Sequence, residues 1–92
     1  MRDEEFEWHD DKAAQNLATH GISFEMARLA FDDAFAVERV DRRQRYDEDR
    51  FILLGMVQGR LLACCLHFTR QACRIISARE SRERRRYHEE NN

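Results

Sequence analysis

The stretch Arg74–Tyr87, R-I-I-S-A-R-E-S-R-E-R-R-R-Y, holds the densest set of side chains able to handle a phosphate. Arg79, Arg82, Arg84, Arg85 and Arg86 place five guanidinium groups within eight residues. A guanidinium is a planar, permanently charged fork that fits phosphate oxygens. The stretch opens as a strand, because Ile75 and Ile76 are adjacent and β-branched and suit burial on both faces. Ser77 and Glu80 then have the spacing of a capping box, and Ser81 is a competing N-cap, so a helix is expected to follow. Its free amides and positive dipole end would add to the arginines. Placed on the last strand of a small sheet, this is a seat for an RNA backbone. The same residues also suit a solvated helix held by i,i+4 pairs such as Glu80–Arg84 and Arg85–Glu89.

Composition limits what must position these groups. Ninety-two residues are expected to form a single domain over residues 1–92, with no proline and no Gly/Ser linker to divide it. The sequence has no apolar run long enough to span a membrane, and its acidic N-terminus is unlike a signal peptide. Cys64, Cys65 and Cys73 lie in strand-like apolar runs and read as reduced core residues of a cytoplasmic protein. Cys64 and Cys65 point to opposite faces of a strand, and no CxxC or HxxxH spacing occurs, so no metal or other cofactor is expected. The net charge of -2 conceals a polarity: residues 1–33 carry -6 and residues 34–92 carry +4. The basic part suits a polyanion, and the acidic part suits a basic partner.

The positioning elements follow from pattern. Phe6–Trp8 is a short strand. A helix from Asp10 or Asp11 to Thr19 or His20 turns Ala13, Asn16, Leu17 and His20 to one side, and Gly21 ends it. Ser23 caps a second helix, Phe24–Ala30, with Phe24, Ala27 and Phe31 inward. Ala34–Val40 is a strand, and the charged Asp41–Asp49 is an exposed loop. Phe51–Val57 and Arg60–Phe68 are central strands joined by a two-residue turn at Gln58–Gly59. Thr69–Ala72 leads into Cys73–Ala78, and a helix closes the chain. The result is an α+β fold: a small antiparallel sheet packed by two N-terminal helices and a C-terminal helix.

The hairpin carries a sharper inference. With Val57 opposite Arg60, Arg50 falls opposite His67. A following turn centred on Arg70–Gln71 puts His67 opposite Arg74. Arg50, His67 and Arg74 then form a row across three strands, with neighbouring Cβ atoms about 5 Å apart. Two cations beside a histidine call for an anion and favour the neutral ring.

These residues together resemble a known family. Phe6-Glu7-Trp8, Lys12, Asn16, His20-Gly21-Ile22-Ser23-Phe24-Glu25 and Ala27 match its first motif. Phe31-Asp32-Asp33, Arg50-Phe51, Gly55, Gly59-Arg60, His67 and Arg74-Ile75-Ile76-Ser77-Ala78-Arg79 match the rest. Nearly the whole chain is similar to the BrnT toxins of type II toxin–antitoxin systems. The resemblance implies a RelE-like fold and a metal-independent endoribonuclease that cleaves mRNA and arrests growth. It also implies neutralisation by a BrnA-like antitoxin with a ribbon-helix-helix DNA-binding part. The pair would be dimeric and would contact operator DNA only through that antitoxin. Three departures bear on activity: His9 stands where aspartate is usual, Thr19 where lysine is usual, and the Arg79–Tyr87 segment is shorter.

Metal-free RNA cleavage needs a base for the 2′-hydroxyl, cations for the phosphorane and an acid for the leaving 5′-oxygen. Arg79 is the expected phosphorane stabiliser, assisted by Arg50, Arg74 or Arg82. His67 and Glu83 are the base and acid, in either order. Arg85 is placed on the RNA backbone, and Tyr87 either stacks on a base or packs against the sheet. The alternative is a non-catalytic RelE-like binding module that acts through its partner in operon autoregulation.

Overall fold

A computed structural model describes residues 5–42 and 48–89. In chain order the elements are β1 (Phe6–Glu7), α1 (Asp10–His20), α2 (Phe24–Arg28), a 3-10 turn (Leu29–Asp32), β2 (Val37–Val40), β3 (Phe51–Val57), β4 (Arg60–Phe68), β5 (Cys73–Glu80) and α3 (Arg84–Glu89). The strands form one sheet in the order β1-β5-β4-β3-β2. The architecture is α+β, as the sequence pattern requires. The sheet is mixed rather than wholly antiparallel, because β1 runs parallel to β5 and pairs Phe6 with Cys73 and Glu7 with Arg74.

The centre is the β3–β4 hairpin. Gln58 (φ 51°) and Gly59 (φ 79°) both take positive φ, the geometry whose twist matches a two-residue hairpin. Val57 faces Arg60 and Phe51 faces Leu66, so the expected register holds along the whole pair. Between β4 and β5, His67 faces Arg74 as expected. A bulge follows: Leu66 pairs with Ile75 and Cys65 with Ser77, which leaves Ile76 as the extra residue.

Alternation divides the sheet into two faces. Leu53, Leu62, Cys64, Leu66, Ile75 and Ala78 form one apolar cluster with Ile22, Phe24, Ala27 and Ala30, supplied by α2 and its flanking segments. Burial pushes the thiols of Cys64 and Cys73 up to about 12, so both are unreactive at neutral pH. The opposite face carries a smaller cluster of Val37, Ile52, Leu54, Leu61 and Ala63, covered by Tyr87 of α3.

Several boundaries differ from the pattern. On α1, Asn16 is the buried residue, whereas Leu17 and His20 are exposed. The Asn16 amide donates to the carbonyls of Ile22 and Ala78 (2.8 Å each) and accepts from the Ala78 amide (3.0 Å). One side chain thereby does the work of a neighbouring strand at the β5 edge. β2 starts at Val37 rather than Ala34, because Asp33 draws the Phe35 amide into a turn (2.9 Å). Of the charged loop Asp41–Asp49, residues 43–47 lie outside the described residues, and Asp41 is buried rather than exposed.

The largest correction concerns the end of β5. The strand does not stop at Ala78. It pairs Arg79 with Ala63 and Glu80 with Leu62, and the Ser81 amide donates to the Leu61 carbonyl (2.8 Å). Ladder bonds therefore satisfy the amides that a Ser77–Glu80 capping box would have served. Ser81 instead accepts from the Glu83 amide (3.0 Å), and the helix starts at Arg84. Glu80 meets Arg60 (3.4 Å), whereas Arg85–Glu89 forms as expected (2.9 Å).

Candidate active site

The face opposite α1 and α2 carries a cleft of about 210 Å³. Its floor is Ile52, Ala63, Cys65 and Ser77, and its walls are Arg39, Arg79 and Glu83. The strand registers explain why these residues meet. Arg39 pairs with Ile52, Ile52 with Cys65, and Cys65 with Ser77, a row across four strands. Arg79 sits one row over, opposite Ala63. With strands about 4.8 Å apart, the β2 and β5 backbones lie roughly 14 Å apart. Arg39 and Arg79 line the cleft from those two strands.

Arg79 is thus a strand residue, and the expected support from helix amides at its position is absent. Its guanidinium is exposed and has no hydrogen-bond or ion-pair partner among the described residues. Glu83 does not hold it. The Glu83 carboxylate accepts from Arg39 Nη2 at both oxygens (3.2 and 3.3 Å) and lies 3.8 Å from Arg86. Arg39 Nη1 is buried and has no partner among the described residues.

His67 and Arg74 share the cleft's face two strand positions beyond Cys65 and the bulge. The His67–Arg74 part of the expected row is paired, and the row's three members have carboxylates beside them. Glu48 lies 3.7 Å from Arg50 Nε and 3.5 Å from His67 Nδ1, and Glu7 lies 3.6 Å from Arg74. These carboxylates supply the countercharge, so the row needs no bound anion. His67 Nδ1 is also 2.7 Å from the Asp49 carbonyl. A carbonyl only accepts, so Nδ1 carries a proton, and Nε2 is the nitrogen left for chemistry.

The remaining assigned residues scatter. Arg82 borders a separate depression with Glu80, Ser81 and Arg84. Arg85 projects into solvent against Glu89. Tyr87 is buried, and its hydroxyl donates to Asp33 Oδ2 at 2.6 Å, so it packs against the sheet and offers no ring to a base. Asp33 also accepts from the Met56 amide (2.8 Å), which ties α3, β3 and the 3-10 turn together. Burial alone would raise the Asp33 carboxyl, but its bonds from Tyr87, Met56 and Phe35 outweigh that and hold it below the usual carboxylate range. Burial and the Asp33 carboxylate push the Tyr87 hydroxyl up to about 12.

Sequence reasoning missed Arg39, Asp33 and Asp41. The available signal was the alternation Val37-Glu38-Arg39-Val40-Asp41, which puts Val37, Arg39 and Asp41 on one face of a strand. Arg39 lines the cleft, and the Cys65 thiol in its floor donates to Asp41 Oδ2 at 3.7 Å.

Fold and cleft define a small α+β protein with a two-arginine cleft on one face of its sheet. The family model for the BrnT ribonuclease toxin of type II toxin–antitoxin systems matches residues 8–85, and the chain belongs to that family. No curated protein matches the chain. The family implies an antitoxin partner. Among the described residues, no helix is long and apolar enough to cross a membrane.

Proposed function

We propose that the cleft cleaves mRNA by internal attack of the 2′-hydroxyl, without a metal. The observation that carries this reading is the Arg79 guanidinium, without a partner among the described residues, lining a cleft with Arg39 and Glu83 over a floor of Ile52, Ala63, Cys65 and Ser77. The scissile phosphate lies over Cys65 and Ser77, between Arg39 and Arg79. Glu83, a hydrogen-bond acceptor at both oxygens, takes the 2′-hydroxyl proton. The 2′-oxygen bonds to phosphorus, and the two guanidinium groups stabilise the charge of the phosphorane. His67 enters the reaction as the imidazolium, with Nδ1–H on the Asp49 carbonyl and Glu48 as countercharge, and gives its Nε2 proton to the leaving 5′-oxygen. The products are a 2′,3′-cyclic phosphate and a 5′-hydroxyl. Arg74 and Arg50 hold the flanking backbone. The antitoxin that silences the toxin is of the ribbon-helix-helix kind, and the pair binds operator DNA through it.

The test is purified protein with labelled single-stranded RNA in EDTA. Fragments ending in 2′,3′-cyclic phosphate are expected. RNA that is bound but stays intact would identify a non-catalytic binding module instead.

A further inference from the structure

Ser77 borders two depressions. One is the cleft. The other is a groove of about 230 Å³ between α1 and the outer edge of β5, bordered by Lys12, Gln15, Thr19, His20, Ile76 and Ser77. The groove exists because β1 pairs only with Cys73 and Arg74, so beyond Arg74 the β5 edge faces α1. There Asn16 fastens helix to strand through two hydrogen bonds with the Ala78 backbone. Residues three, seven and eight positions after Lys12 share its helical face, which brings Gln15, Thr19 and His20 beside it. The bulged residue Ile76 closes the groove on the strand side, next to Ser77.

The chemistry of this groove is that of a nucleotide subsite. Lys12 is the chain's single lysine, is exposed, and makes no ion pair among the described residues. His20 presents an exposed ring, likewise without a partner among the described residues. An ammonium binds a phosphate, a flat ring stacks on a base, and the Gln15 amide and Thr19 hydroxyl suit a base edge or a 2′-hydroxyl.

We propose that the groove holds a nucleotide one step beyond the two that flank the scissile phosphate, with the RNA crossing β5 at Ser77. This inference rests on the reading of the cleft as an RNA-cleaving site. It turns a single-phosphate cleft into a path that two faces of β5 share, and it gives α1 a role besides packing.

The experiment measures binding of a 2′-O-methyl octanucleotide, which cannot undergo internal attack, against a 2′-O-methyl dinucleotide, across a salt series. Lys12→Ala is expected to weaken octamer binding about fivefold at 0.1 M salt and to flatten the salt slope by about 0.7, the share of one phosphate contact on a single strand. Lys12→Arg should keep the slope. His20→Ala is expected to weaken binding about fivefold, the lower end of what one stacked base contributes, with the slope intact. Both losses should be smaller on the dinucleotide. Parent-like affinity and slope in both alanine variants, or equal losses on the two lengths, overturn the proposal. Thermal midpoints confirm folding, and Lys12→Gln replaces any variant that melts early. Parallel cleavage of unmodified octamer separates the two readings. Lys12-dependent binding by a parent that never cuts RNA overturns the ribonuclease reading and leaves the groove, whereas cutting without Lys12 or His20 dependence removes the groove alone.

Discussion

Cys64 and Cys65 are sequence neighbours on β4 that face opposite worlds. Cys64 lies among Phe24, Ala27, Leu53, Ile75 and Ala78, and its thiol reaches the Ala27 carbonyl at 3.7 Å. Cys65 lies in the floor of a polar cleft, beside Asp41 and between the walls built by Arg39 and Arg79. Large side chains interlock with the helices on the first face. On the second, Ile52, Ala63, Cys65 and Ser77 lie between Arg39 and Arg79, and Tyr87 of α3 covers the far end. A sheet so divided can afford solvent on one face because the other supplies most of the burial. The comparison predicts that damage to the cleft face should register in activity, and damage to the helix face in stability.

The strongest test of that division is Arg79. If it stabilises charge that develops in the transition state, Arg79→Ala should slow cleavage about 10²–10³-fold, roughly 3–4 kcal/mol, with little change in thermal midpoint. Arg79→Lys should recover little, because a point charge does not replace a fork. Single-turnover cleavage and melting curves on the same preparations check this. A variant that cuts at the parent rate, or that loses activity only as it unfolds, removes Arg79 from the site.

The helix-face counterpart is Asn16. Asn16→Ala strands one buried amide and two buried carbonyls that now bond to it. A cost of about 3 kcal/mol in denaturant unfolding is expected, since each buried group left unsatisfied costs on the order of 1–3 kcal/mol and the site relaxes in part. A change under 1 kcal/mol would mean that water replaces the side chain freely.

How far the sequence revealed these two faces depends on the range of the interactions. The β3–β4 hairpin was legible because its turn residues and its apolar runs are local, and the His67–Arg74 pairing followed by counting from it. Asn16 was legible as a helix position but not as a substitute strand, because its partner Ala78 is 62 residues away. Arg39 was hidden for the same reason: only the order of four strands brings it to Ser77 and Arg79. The end of β5 was misread because Ser77, Glu80 and Ser81 carry a strong local capping signal, and the long-range ladder to β4 overrode it. Tyr87 was open between stacking and packing because its partner Asp33 is 54 residues away.

That pair links the two faces, and its prediction is smaller. Tyr87→Phe removes a hydrogen bond to a charged group, which should cost about 2 kcal/mol near neutral pH. The pH dependence has a definite sign. Asp33 is lowered in the fold from an ordinary 3.8, so its contribution is present above that value and is lost as pH falls through the depressed folded one. Tyr87 is raised from 10.0 to about 12, so its contribution is present below 10 and is lost as pH rises through about 12. The stability gap between parent and Tyr87→Phe should therefore be widest between these limits and should narrow towards both extremes. A gap that stays constant from pH 7 to pH 2 would place the stabilisation in packing of the ring.

The smallest expected effect concerns the start of α1. His9 occupies the N-cap position in extended conformation (φ -83°, ψ 129°) and makes no side-chain capping bond. An aspartate there would accept from an amide of the first turn and place negative charge at the positive dipole end. Asp10 and Asp11 already crowd that turn with like charge, which reduces the benefit. His9→Asp should therefore stabilise the protein by only about 0.5–1 kcal/mol, read as a raised thermal midpoint. Because α1 meets RNA only through the flanking groove and not at the cleft, the cleavage rate per folded molecule should stay within twofold of the parent at saturating RNA. A rise in that rate beyond the added stability would show that α1 reaches the chemistry, and the separation of the two faces would then fail at its N-terminal end.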